Sequence, residues 1–325
     1  MAQDPQCNTP TPSTEIPDLL PYNPPLEIIN SGSTALIGRI KPGVVLKFPR
    51  YSWWHSPTAS SHSFVRDIKH SFLVEEQILR ILGDHPRIVR YVRHIPTLIT
   101  LDRLSTDQRV TPSSFLGPST NPHGLLLAEA NNGNLQAYID HHQLNESPPL
   151  SLQIKWRRQS AAAIHFIHSN NVIHADLRPD SFLLHTPSPS TSPDATPDLL
   201  LCDFGRSSCG DINGGYLPDS GSNLFTQPWG ATKVGDISAL GSIFYVIMTG
   251  HWPDQTPGPY MSDAGGGLLG VGLGLELDGH FPSVERVFAG GVIRGCWEER
   301  FQDMSEVIEE QEGAFADIAG VDKSG

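Results

Sequence analysis

The run His174-Ala175-Asp176-Leu177-Arg178-Pro179-Asp180-Ser181, followed by Asp203-Phe204-Gly205, constrains this 325-residue chain more than any other feature. Two carboxylates at this separation, Asp176 and Asp203, are what phosphoryl transfer requires. In that chemistry the protein positions an acceptor hydroxyl, chelates a metal and neutralises charge on the transferred group. One carboxylate is expected to receive the acceptor's proton and the other to hold magnesium. The bland alternative is two ordinary loop carboxylates, and further residues in register weigh against it.

The two motifs resemble the catalytic loop H-R-D-L-x-x-x-N and the metal loop D-F-G of the eukaryotic protein kinase superfamily. The resemblance implies a bilobal α+β fold: a small, mostly antiparallel β N-lobe with one main helix, and a larger, mainly helical C-lobe. It implies ATP and Mg2+ as cofactors and a Ser or Thr hydroxyl of an unknown protein substrate as acceptor. Asp176 becomes the base, Asp203 a metal ligand. Ala175 stands where the family has the Arg that pairs with an activation-loop phosphate, so switching by that route is expected to be absent. Ser181 replaces the Asn that serves the second magnesium; its hydroxyl offers an oxygen with shorter reach, which weakens metal binding. Arg178 replaces the Lys that contacts the transferred phosphate, keeping the charge and adding a planar fork of donors.

The rest of the fingerprint lies upstream in the family's order. Val44-Val45-Leu46-Lys47 is similar to the V-A-I-K strand, which assigns Lys47 to the nucleotide's phosphates and to a Glu on the next helix. The segment 72–82 carries apolar residues at helical spacing, including Ile78, Leu79 and Leu82. It ends in Gly83-Asp84-His85-Pro86-Arg87-Ile88-Val89, similar to the family's H-P-N-I-V turn. Glu75 is the better partner for Lys47, with Glu76 the alternative. Before Lys47, Asn30-Ser31-Gly32-Ser33-Thr34-Ala35-Leu36-Ile37 occupies the place of G-x-G-x-x-G-x-V but keeps only Gly32 of the three glycines. Gly124-Leu125-Leu126-Leu127-Ala128-Glu129-Ala130 reads as a buried strand leading into a hinge, and Asn132-Gly133-Asn134-Leu135 opens a helix. By resemblance the nucleotide is surrounded by Gly32, Ser33, Ile37, Val45, Lys47, Ala128, Ala130 and Leu183.

Downstream, residues 151–170 form an amphipathic helix with Ile154, Ala161, Ile164 and Ile167 on one face. Asp236 to Tyr245 resembles the helix that anchors the C-terminal lobe, with Asp236 accepting hydrogen bonds from the catalytic-loop backbone. Residues 281–301 resemble the closing helices. The A-P-E triplet, whose Glu should pair with an Arg near Arg300, is missing: Thr226-Gln227-Pro228-Trp229 contains no acid. The overall tone of the motifs resembles divergent kinase-domain proteins of filamentous fungi.

Composition bounds the partners. A formal net charge of -13 argues against nucleic acid, whose phosphates demand clustered Lys and Arg. Cys7, Cys202, Cys209 and Cys296 show neither metal spacing nor disulfide density, which suits a reducing compartment and a cytoplasmic location. Residues 1–25 are rich in Pro and Thr, have no signal-like apolar stretch, and are expected to be disordered. The apolar run from Ile237 to Met248 is too short for a membrane span and reads as a core helix, so no membrane partner is expected. The oligomeric state is not legible.

Domain organisation follows: 26–128 as N-lobe with an inserted loop at 97–122, 129–315 as C-lobe with an inserted loop at 186–198, and 316–325 as a tail. Residues 264–274, rich in Gly and Leu, show no clear period. His165 and His168 read as capping or core residues, His174 as packing under Phe204, and Cys202 as a small buried hydrophobe. Two rival functions stay open. A pseudokinase would bind nucleotide and act as a scaffold, which Ser181 and the sparse glycine loop favour. A small-molecule kinase of the aminoglycoside or choline type shares a catalytic Asp loop but usually lacks D-F-G.

Overall fold

The structure is a computed structural model that describes residues 26–50, 59–95, 124–142, 148–186, 196–215, 231–253 and 281–321. The regions 1–25, 97–122, 187–195 and 264–274, and Thr226-Gln227-Pro228-Trp229, lie outside the described residues.

The first half builds an antiparallel sheet. Strands β1 (Glu27–Ser31), β2 (Ala35–Lys41), β3 (Val44–Pro49), β4 (Tyr91–Ile95) and β5 (Gly124–Ala128) are ordered β1-β2-β3-β5-β4. Strand periodicity sorts the side chains to two faces. Val45, Leu125 and Leu127 join the main core, whereas Leu46, Phe48 and Leu126 pack with Leu26 and Ile40 in a second cluster on the other face. Lys47 lies on β3 opposite Ile37 of β2 and Leu125 of β5.

Helix α1 (Ala59–Leu82) begins earlier than the apolar spacing of 72–82 predicts. Ile68 extends the buried stripe of Phe72, Ile78, Leu79 and Leu82 by a further turn, so the core contact continues toward the helix start. Glu75 sits on this apolar face and is 2% exposed, the one carboxylate that the stripe carries into the interior.

The second half is mainly helical: α2 (Leu135–His142), α3 (Leu150–Ser169), α4 (Lys233–Thr249), α5 (Gly290–Trp297) and α6 (Met304–Val321). Two short hairpins lie between α3 and α4, β6 (Phe182–His185) with β7 (Asp198–Leu201) and β8 (Ser208–Cys209) with β9 (Ile212–Asn213). Asn134 caps α2 by accepting the Ala137 N–H at 2.8 Å. On α3 the expected face is buried at Ala161, Ile164 and Ile167, but Ile154 is only half-buried; Leu152 and Trp156 take the core side of the first turns.

Helix α4 is buried along its length from Gly235 to Ile247, which accounts for its lack of an amphipathic pattern. The Thr232 hydroxyl caps its start by accepting the Gly235 N–H at 2.9 Å, and Gly250 ends it at φ 78°. A Cβ at Gly241 would lie 2.6 Å from the Cβ of Cys296, so this glycine sets the close approach of α5. No helix among the described residues is long and apolar enough to cross a membrane. Arg157 of α3 is fully buried: its guanidinium donates to Gln311 (3.2 Å) and to the Phe288 carbonyl (3.0 Å) and lies over the rings of Phe244 and Phe315. Burial pushes its pKa down to about 10.

Two expected boundaries shift. Helix α6 runs to Val321, past the expected lobe end at 315, and Asp198, expected in an inserted loop, opens β7. One continuous core runs from Ile68 and Phe72 of α1 through Phe204 to Ile243 of α4 and Val307 of α6, so the two halves share their interior.

Candidate active site

The catalytic loop hangs from the start of α4. Asp236, 3% exposed, accepts the His174 N–H at 2.8 Å and the Ala175 N–H at 2.9 Å, and its Oδ2 also bonds His168 Nε2 at 2.9 Å. These bonds hold Ala175 at φ 64°, a left-handed conformation that costs a non-glycine residue about 1–2 kcal/mol. His168 therefore orients the carboxylate that holds the loop, and no group of three or more His, Cys, Asp or Glu that could hold a metal occurs among the described residues. His174 packs its ring on Phe204, with centroids 5.0 Å apart, and its Nε2 meets the Cys202 carbonyl at 3.0 Å.

Asp176 lies in this loop beside Arg178, whose Nε is 3.6 Å from Asp176 Oδ1 and 3.5 Å from Asp180 Oδ1. Burial pushes the Asp176 carboxyl up to about 6, against the opposing pull of Arg178. A turn at Pro179–Ser181 then leads into β6. The Ser181 hydroxyl, 1% exposed, donates to the Asp176 carbonyl at 3.1 Å, while its own carbonyl accepts the Cys202 N–H at 2.9 Å. Ser181 thus ties the Asp176 loop to the Asp203 loop.

Asp203 is left-handed at φ 67° and its neighbours are wedged under α1: Phe204 is fully buried, and a Cβ on Gly205 would come within 3.1 Å of Ser71 Cβ. The wedge brings Asp203 to Lys47. The Lys47 Nζ lies 2.7 Å from Glu75 Oε2 and 2.7 Å from Asp203 Oδ1. Glu76, the alternative partner, faces away and is held by Arg80 at 2.7 Å and by the Tyr91 hydroxyl at 3.1 Å. The Lys47 charge holds the Asp203 carboxyl down to about 2. Burial opposes the charge on Lys47, but the two carboxylates outweigh it and raise its pKa. Burial raises Glu75 in turn, and pushes the Cys202 thiol well above its usual range.

The donor set fits a hard cation. Four carboxylates, Glu75, Asp176, Asp180 and Asp203, share Lys47 and Arg178 in these contacts, which leaves negative charge in excess, and Asp203, 45% exposed, keeps Oδ2 outside its lysine pair. Magnesium takes oxygen ligands through one or two carboxylates plus substrate phosphates, and Asp203 with Ser181 offers such oxygens.

The loop between β1 and β2 is a tight turn closed by the Gly32 N–H to the Ala35 carbonyl (2.8 Å). Arg50 pins it through the Ser31 hydroxyl (2.9 Å) and the Gly32 carbonyl (3.0 Å). Gly32 and Ser33 are exposed in that turn. Ile37 and Leu183, half-buried, both pack against the continuous core that contains Val45. Ala128 ends β5, and Ala130 follows it half-buried.

Several residues of the site region carry no sequence signal. Arg39, Arg50, His168 and Thr186 each act through a partner far away in the chain and stand in no motif, and Glu129, though inside the hinge run, has no role that the run foretells. Arg300, near which the family places the partner of the missing acid, binds Glu310 of α6. Cys202, Cys209 and Cys296 are free thiols.

A five-stranded sheet with one long helix, joined through a short strand end to a helical body and carrying a lysine, glutamate and aspartate triad at the junction, defines a bilobal kinase-like protein. The chain belongs to the protein kinase domain family, whose model matches residues 59–259. It is 27% identical over 107 residues to the calcium/calmodulin-dependent protein kinase type I of Schizosaccharomyces pombe, covering 31% of this chain and 30% of that protein. It is 32% identical over 102 residues to a calcium/calmodulin-dependent protein kinase of Metarhizium anisopliae, covering 30% of this chain and 25% of the other. A third relative, the serine/threonine-protein kinase ATG1c of Arabidopsis thaliana, is 25% identical over 193 residues, which cover 58% of this chain and 22% of that protein. The matched stretches thus span less than a third of each relative.

Proposed function

We propose that this chain transfers the terminal phosphoryl group of ATP to a Ser or Thr hydroxyl of a protein, between an N-lobe at 26–128 and a C-lobe at 129–315. The observation that carries the reading is Lys47 held at 2.7 Å by both Glu75 and Asp203, because a desolvated lysine between two acids is costly unless it is used. Lys47 then binds the nucleotide's phosphates, fixed in place by Glu75. Asp203 and Ser181 would hold Mg2+, which when bound supplies positive charge to the transferring group. Asp176 orients the acceptor hydroxyl and takes its proton; a carboxyl at about 6 is ionised at neutral pH yet close enough to it to accept a proton well. Arg178 steadies that carboxylate and neutralises charge on the transferred phosphate. Ile37, Val45 and Leu183 enclose the adenine, Gly32 and Ser33 cover the phosphates, and backbone groups of Ala128 and Ala130 read the adenine edge. The free thiols suit a cytoplasmic protein.

The test is Asp176→Asn in a purified transfer assay. Removing a positioned base costs about 10² to 10⁴-fold, so the variant should fall to background. Transfer at the parental rate would overturn the mechanism.

One observation favours a second reading, a nucleotide-binding scaffold without turnover. The Ser181 hydroxyl spends its proton on the Asp176 carbonyl and is 1% exposed, a poorer second metal ligand than an amide that reaches into the cleft. Thermal shift with nucleotide beside a radiolabel transfer assay, with Mg2+ and Mn2+ titrated separately, separates the two. Binding without transfer under both metals selects the scaffold.

A further inference from the structure

The hydrogen bonds of the connection between sheet and helical body divide at a single residue. On the sheet side the Ala128 N–H donates to the Arg90 carbonyl (2.9 Å) and the Glu129 N–H to the Gly43 carbonyl (3.0 Å). The Glu129 carboxylate, 10% exposed, then grips the turn between β2 and β3: Oε2 accepts the Gly43 N–H at 3.0 Å and Oε1 accepts Arg39 Nε at 2.7 Å. Arg39 is itself tethered to Glu27 of β1 at 2.7 Å, and it lies directly opposite Val45 across β2 and β3. On the other side, Asn131 exchanges two bonds with Thr186 at the end of β6, donating to its carbonyl (2.9 Å) and accepting its N–H (2.8 Å). The Asn132 N–H reaches the Leu184 carbonyl (3.0 Å), and the Leu184 N–H reaches the Gly133 carbonyl (2.8 Å). Among the described residues, Ala130 takes no hydrogen bond between these two sets.

We propose that Glu129 and Asn131 are positioning residues that clamp the connection to the two lobes from either side, so that lobe rotation pivots at Ala130 and the adenine-facing backbone is preset for nucleotide. The inference rests on the nucleotide-binding reading above and deepens it. Both oxygens of Glu129 are committed to the N-lobe. Asn131 is exposed, and a local turn does not need its paired bonds to Thr186. Releasing either clamp frees about one further residue of backbone that nucleotide binding must order again, which corresponds to about tenfold in affinity. The loss is confined to the part of the ligand that the connection reads, the adenosine half, because the phosphate-facing residues Lys47 and Arg178 lie elsewhere.

The experiment uses the full chain with calorimetric titration of two probes, adenosine and Mg2+-tripolyphosphate, against Glu129→Ala, Asn131→Ala and the milder Glu129→Gln. Melting curves of all four proteins report on folding. Adenosine affinity should fall about tenfold in Glu129→Ala and in Asn131→Ala and less in Glu129→Gln, which keeps one acceptor oxygen, while tripolyphosphate affinity stays at the parental value. Unchanged adenosine affinity in either alanine variant overturns the proposal, as does a parallel loss for both probes, which would mean general loosening. Should Glu129→Ala fail to fold, Glu129→Gln and Asn131→Ala decide by the same criterion. If the parent protein binds adenosine not at all, the kinase reading itself fails, and the clamp reading falls with it.

Discussion

Replacing Asp236 with Asn tests the support of the catalytic loop. The carboxylate is 3% exposed and accepts three hydrogen bonds, from Ala175 N–H on Oδ1 and from His174 N–H and His168 Nε2 on Oδ2. An amide has one acceptor oxygen. Its better placement keeps that oxygen on the His174 and His168 side and turns the NH2 toward the Ala175 N–H, donor against donor. One buried donor left unsatisfied costs about 1–3 kcal/mol, and loss of the negative charge weakens the two retained bonds by roughly 1 kcal/mol more. Part returns, because Ala175 is then free to leave φ 64° and recover some of about 1–2 kcal/mol of strain. The net expectation is a loss of about 2–3 kcal/mol. At roughly 2–4 °C per kcal/mol for a chain above 150 residues, the melting temperature should fall by about 5–10 °C. Scanning calorimetry of parent, Asp236→Asn and Asp236→Ala measures it. A fall below about 2 °C would show that Asp236 does not hold the loop against its preferred conformation, and the account of Ala175 would go with it.

Lys47→Met should cost about 3–5 kcal/mol at neutral pH, since Glu75 is left buried without its cation. It should also remove the part of the acid limb of stability that Asp203 contributes. In the parent, Asp203 is held down to about 2 from an ordinary 3.8, so the stability this contributes is present above about 3.8 and is lost as pH falls toward 2. In the variant that depression disappears, while Glu75 and Asp176, raised by burial in the parent, still favour the folded state as pH falls, so the variant should lose less stability than the parent between about pH 3.8 and 2; melting temperature against pH from 2 to 7 would contradict this if the two curves ran parallel. The transfer rate should fall about tenfold per pH unit below about 6 as Asp176 takes up its proton, and Arg178→Ala should move that limb upward, because Arg178 opposes the rise that burial causes. A rate that stays flat between pH 5 and 7 would remove Asp176 from the role of base.

The unequal legibility of these residues has a physical cause. The runs that carry Asp176, Asp203 and Lys47 were legible because the family resemblance rests on particular residue types within short runs of rigid internal spacing, and the structure brings Asp203 to Lys47. Once the resemblance called for a Glu partner, helix spacing favoured Glu75 over Glu76, and the structure separates them because one position along α1 turns a side chain by about 100°, from the Lys47 side to the Arg80 and Tyr91 side. The start of α1 and the extent of α6 escaped because helix ends depend on tertiary contact more than on local pattern.

What the sequence by itself determined is the chemistry on offer and the order of the elements: the two acidic loops, the lysine strand, the glutamate helix and the buried run that became α4. Tertiary structure fixed the geometry of the contacts that the motifs foretell, such as Lys47 with Glu75 and Asp236 with the loop of Ala175, and alone decided the others. The wedge of Phe204 under α1 brings Asp203 to Lys47, Asp236 and His168 together set the backbone of Ala175, and Glu129 and Asn131 grip opposite lobes on either side of Ala130. Each is a contact between residues distant in the chain. Motifs name some of the partners, but no period or motif states the contacts of His168, Glu129 and Asn131, because only the packed core fixes their geometry.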